Sequence, residues 1–121
     1  MAEAKSRPDI LYSIRIFPIQ EIVADRIETE FSRLVSSRRF LPRLDGWNLV
    51  LDIDSDTDVE PIMVALRDQG LETNFDLFIS LVPESDSIIR EIPRSVIKIV
   101  QEFGCPMMVS YTSGAWADPD A

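Results

Sequence analysis

Three stretches of this chain alternate apolar and polar residues, and that alternation limits the fold more than any other feature. In residues 10–17, Ile10, Tyr12, Ile14 and Ile16 share one side, and Leu11, Ser13, Arg15 and Phe17 the other. Residues 47–53 set Trp47, Leu49, Leu51 and Ile53 against Asn48, Val50 and Asp52. Residues 75–82 set Phe75, Leu77, Ile79 and Leu81 against Asp76, Phe78, Ser80 and Val82. Side chains of a strand point alternately to two faces. The pattern therefore predicts a sheet with one face on a core and the other solvated. A doubly wound parallel sheet would need apolar residues on both strand faces.

Helical periods separate these strands. Residues 19–37 predict one helix, with Ile19, Ile22, Val23, Ile27, Phe31, Leu34 and Val35 in a stripe and an arginine-rich exit of Arg38, Arg39 and Arg43. Charge complementarity to that helix end and to the acidic second half accounts for the arginines. Residues 59–69 predict a second helix, with Thr57 and Glu60 as a capping box and Gly70 as its stop. Residues 92–112 read as a third helix on Val96, Ile97, Val100 and Phe103, a stop at Gly104, and a final core-building strand from Met107. A polar connection at 83–91 has room for a short edge strand at Ile88 and Ile89.

The expected fold is α+β, a two-layer sandwich in the order β-α-β-α-β-α-β. It has a four-stranded, mainly antiparallel sheet with its helices on one face, and the ferredoxin-like layout is one form of it. Residues 1–9 read as a flexible leader, 10–112 as a single domain and 113–121 as a tail carrying Trp116.

Charge and residue usage narrow the function. The net charge is −9, but residues 1–45 hold 8 basic against 7 acidic side chains and residues 46–121 hold 4 against 14. A polyanion is repelled by that second half, so neither nucleic acid nor an anionic membrane is an expected partner. A basic protein would be steered towards it. The chain has no His and one Cys, Cys105. That excludes Ser–His and Cys–His nucleophile pairs, His-based metal sites and an internal disulfide. Cys105 reads as a small buried hydrophobe. No apolar run approaches the ~20 residues of a membrane span and 1–9 lacks an apolar signal core, so a cytoplasmic location is expected.

The run Asp52, Asp54, Asp56, Asp58 and Glu60 places five acids on alternate positions. An EF-hand loop needs glycine at its sixth position and glutamate at its twelfth. Counting from Asp52, those positions hold Thr57 and Met63, and from Asp54 they hold Val59 and Ala65. Neither a metal nor a cofactor is expected, and no catalytic motif is present. The four glycines are scattered, so there is no phosphate loop.

Taken together, LYSIRIF, GWNLVLDID followed by DVEPIMVALRD, and IPRSVIKIVQEFGCPMMVSYT resemble small bacterial α+β domains of unassigned function. Some of these are similar to immunity proteins encoded beside polymorphic toxins. The resemblance implies a binding role and no catalytic residues. The functional expectation is a non-enzymatic, acidic protein-binding domain, an immunity protein that neutralises a basic toxin domain. Its candidate contacts are Asp52, Asp54, Asp56, Asp58, Glu60 and Asp76, with Trp47, Phe78 and Trp116 as aromatic anchors. The alternative is a small-ligand or regulatory domain that forms a homodimer through its sheet.

Overall fold

The computed structural model describes residues 10–81 and 91–111. The expectations for the leader at 1–9, for the connection with Ile88 and Ile89, and for the tail with Trp116 lie outside these residues. Five strands and three helices occur among the described residues. They are β1 (Ile10–Ile19), α1 (Glu21–Glu30), β2 (Val35–Leu41), β3 (Gly46–Ile53), α2 (Glu60–Asp68), β4 (Phe75–Leu81), α3 (Arg94–Phe103) and β5 (Met107–Tyr111). The strands form one mixed sheet in the order β2-β3-β1-β4-β5. All neighbours are antiparallel except β4 and β5, which run parallel.

The chain is thus α+β as expected, but the sheet has five strands, not four, and the order is β-α-β-β-α-β-α-β. The added element is β2. Residues 31–41 were expected to finish a long helix and start a loop, yet α1 stops at Glu30 and β2 begins at Val35. No glycine or proline marks that stop; the Phe31 N–H closes on the Ile27 carbonyl, and the next residues turn. Leu34 and Val35 satisfy a helical and a strand period equally well. A register shift between Val35 and Ser37 then breaks the alternation that would reveal the strand.

The core confirms the one-sided reading. Tyr12, Ile14 and Ile16 of β1, Leu49, Leu51 and Ile53 of β3, and Phe75, Leu77 and Ile79 of β4 pack with Ala24, Ile27, Ile62, Met63, Leu66, Val96 and Ile99 from the helices. All three helices therefore cover the same face. Gly46 opens β3 where β1 crosses it: a Cβ there would lie 2.7 Å from Pro18 Cβ, so a side chain would displace the ring.

The third helix and last strand need two corrections. Ile97 is 40% exposed while Ile99 is fully buried, so the inward stripe is Val96, Ile99, Val100 and Phe103. Gly104 is the expected left-handed stop, at φ 61°. Beyond it β5 does not build core, because Met107, Met108, Val109 and Tyr111 are all exposed. Among the described residues it pairs with β4 alone, at the edge of the sheet.

Cys105 is buried, as expected, and burial pushes its thiol pKa up from the ordinary 9.0. Burial likewise raises the Tyr12 phenol above 10.0. Each folded group keeps a proton that the unfolded chain releases, so both contributions are complete below the ordinary values and fall away as pH rises past them. The urea midpoint is expected to hold steady to about pH 9 and to decline above it, first with Cys105 and then with Tyr12. Cys105→Ala should remove the earlier part of that decline. No described helix is long and apolar enough to cross a membrane.

Candidate partner-binding site

The face without helices is organised around β1, the middle strand. Strand register aligns Asp52, Ser13, Phe78 and Met108 in one row across β3, β1, β4 and β5. The next row holds Val50, Arg15 and Asp76. Arg15 donates from Nε and Nη2 to the two Asp76 oxygens, at 2.8 and 2.7 Å. The same guanidinium lies 4.3 Å from the centre of the Phe78 ring and 5.6 Å from that of Phe17. Both Asp76 oxygens are therefore engaged, and the pairing raises the Arg15 pKa. Asp76 is 7% exposed, although it lies on the face that the described helices leave uncovered. It is placed to hold Arg15 and Phe78 in position.

Asp52 is also engaged, yet it stays closer to solvent. Its Oδ1 accepts from Ser13 Oγ at 2.8 Å and from Ser36 Oγ at 3.1 Å. The register shift in β2 is what brings Ser36 round to this side.

From Asp52 the chain leaves the sheet into the acidic loop 54–58. Asp54, Asp56 and Asp58 are all exposed. The loop is nevertheless tightly tied. Asp54 Oδ1 accepts from the Asp56 N–H and from Thr57 Oγ1, and Asp58 Oδ1 accepts from the Glu60 N–H. Ser95, a buried residue at the start of α3, donates its hydroxyl to the Asp54 carbonyl at 2.8 Å. The capping box expected at α2 is absent, since Thr57 turns back to Asp54 and Glu60 pairs with Lys98. The lone polar serine on an apolar helix face was the one signal that could have found the Ser95 tether.

Across from this loop stands the turn after α1. Together they bound an open cleft of about 460 Å³ lined by Glu30, Phe31, Ser32, Arg33, Leu34, Asp54, Asp56, Thr57 and Asp58. Glu30 and Arg33 do not stand out in the sequence, because the helical period of residues 19–37 runs through them and puts them on its outer side. Among the described residues no three acids converge closely enough to hold a metal ion.

The structure therefore brings together Asp52, Asp54, Asp56 and Asp58, with Phe78 farther along the same row. It separates the others. Glu60 belongs to the helical layer beside Lys98. Trp47 sits at the far end of β3, about 20 Å along the strand from the acidic loop at ~3.3 Å per residue. There Arg38 lies 4.8 Å over its ring and Phe40 packs edge-on at 5.5 Å. Arg38 in turn pairs with Asp25 and Glu28 of α1, which raises its pKa. Trp116 lies outside the described residues.

No protein-family model matches the chain, and neither a curated protein nor a solved structure matches it.

Proposed function

We propose that this chain is a non-enzymatic binding domain that receives a basic protein on its acidic loop and the adjoining open sheet face. The observation that carries the reading is the loop itself. Three exposed aspartates are held by Ser95 and by their own backbone contacts at the end of the row Asp52, Ser13, Phe78 and Met108. A preorganised cluster of like charge loses little entropy on binding and steers an oppositely charged partner. The half-buried Phe78 and the exposed Met108 supply apolar contact farther along that row.

The first six elements support the ferredoxin-like reading. Each of the two crossovers, through α1 and through α2, spans a strand of the other unit. The α3–β5 unit extends that layout by one parallel strand. An immunity protein fits this arrangement, because an acidic loop can enter the cationic active site of a toxin and block it. In this reading Asp52, Asp54, Asp56 and Asp58 make the contacts, and Asp76 sets the position of Arg15 and Phe78.

The test is the salt dependence of association with a basic partner captured from the source organism. The association rate is expected to fall steeply between low and physiological ionic strength. A rate that does not respond to salt would remove the electrostatic basis of the reading.

A further inference from the structure

The two edges of the sheet are built differently. At one end β2 carries a register shift at Ser36 and the charged residues Arg38 and Arg39, features that discourage another strand from pairing there. At the other end β5, MMVSY, has no charge, proline or glycine. Its Met107, Met108, Val109 and Tyr111 are 41, 47, 61 and 52% exposed. The Leu77 N–H bonds to the Pro106 carbonyl and the register pairs Leu77 with Met107. By the alternation of a parallel ladder, the N–H and C=O groups of Met107, Val109 and Tyr111 then point away from β4. No described strand takes them.

We infer that β5 pairs antiparallel with β5 of a second copy of this chain, about a two-fold axis at Val109. This places Val109 opposite Val109 and Met107 opposite Tyr111, each pair exchanging both backbone hydrogen bonds. The outward-facing groups fall on the residues such a pairing requires. The neutral edge gives no electrostatic gain to a basic protein, whereas the strand is apolar and matches itself.

Net charge does not forbid the contact. The acidic loop leaves β3, three strand spacings from β5. Seven spacings separate β3 from its counterpart in the dimer, roughly 34 Å at ~4.8 Å each. That is several times the ~8 Å screening length at physiological salt, though close to the ~30 Å length at 0.01 M. A five-residue edge buries less area than a stable interface needs, so the dimer is weak, with a dissociation constant in the ~10–1,000 µM range. It strengthens as salt is added, opposite to the binding of a basic partner, so the two proposals fail independently.

Sedimentation of the full chain from low micromolar to about 1 mM tests this. The mass is expected to rise towards twice the monomer, more so at physiological salt than at 0.01 M. Val109→Lys sets like charges opposite each other and should raise the dissociation constant more than about tenfold. In a Cys105→Ala background, Val109→Cys should cross-link under mild oxidation. Paired Cα atoms at ~5.5 Å suit a disulfide, and Val64→Cys, 47% exposed on α2, should not cross-link. A chain that stays monomeric to 1 mM overturns the proposal. So does Val109→Cys cross-linking no faster than Val64→Cys, or a dimer untouched by Val109→Lys, which would point to the open face. Slow exchange of the Val109 and Tyr111 amides in the dilute monomer would show the edge covered by the chain itself, and also overturns it.

Discussion

Arg15→Ala is expected to destabilise the fold by about 3 kcal/mol, near the lower end of what breaking a buried pair costs. The size follows from what remains. The Asp76 side chain is 10% exposed and takes both of its charged hydrogen bonds from Arg15. Without the guanidinium its charge stays buried and unpaired. The lower end applies because the Arg15 side chain is itself 28% exposed, so water can partly replace it. Arg15 also covers the Phe78 ring, and that contact is lost with it. Arg15→Leu combined with Asp76→Leu should recover most of the stability, since apolar groups of similar volume can replace a buried pair at little cost. Urea unfolding of the wild type, Arg15→Leu, Asp76→Leu and the double leucine variant gives the coupling between the two side chains. A loss below about 1 kcal/mol for Arg15→Ala would mean that the pair behaves as an ordinary surface contact.

This pair also marks where the sequence could be read and where it could not. Alternation put Arg15, Asp76 and Phe78 on the open face, because a strand's period of two is local. That Arg15 meets Asp76 depends on register between strands 61 residues apart, which no local period carries. The inward residues of β1, β3 and β4 were legible for the same local reason, as were the Gly70 and Gly104 stops, at φ 70° and 61°. β2 was hidden by the shift at Ser36, which puts two successive residues against Val50 and cancels the alternation. With β2 unread, Glu30 and Arg33 stayed on a supposed helix and the cleft could not be assembled. The acidic loop was visible as composition, but its anchor at Ser95 is a tertiary contact.

The second large effect is expected in the acidic loop. Replacing Asp54, Asp56 and Asp58 together by asparagine should slow association with a basic partner by tenfold or more at low salt, within the ~10–10³ range that steering supplies. Asparagine is the informative choice. Its Oδ1 can still accept from the Asp56 and Glu60 N–H groups, so the loop keeps its shape while three charges disappear. Thermal stability should be nearly unchanged, which separates lost steering from lost fold. As a control, Asp68→Asn with Glu72→Gln removes exposed charge at the far end of α2 and should slow association much less. Equal slowing by both sets would reduce the effect to net charge alone.

Partner binding of the kind proposed requires the sheet face opposite the helices to be open to another molecule. Thiol accessibility measures this directly. Leu11→Cys, Val50→Cys and Met108→Cys are placed one at a time in a Cys105→Ala chain, at low micromolar concentration. Each should react with a small alkylating reagent at no less than about a tenth of its rate in denaturant, while the buried control Leu49→Cys reacts far more slowly. Protection of about a hundredfold or more at the three open-face positions, matching Leu49→Cys, would contradict the account.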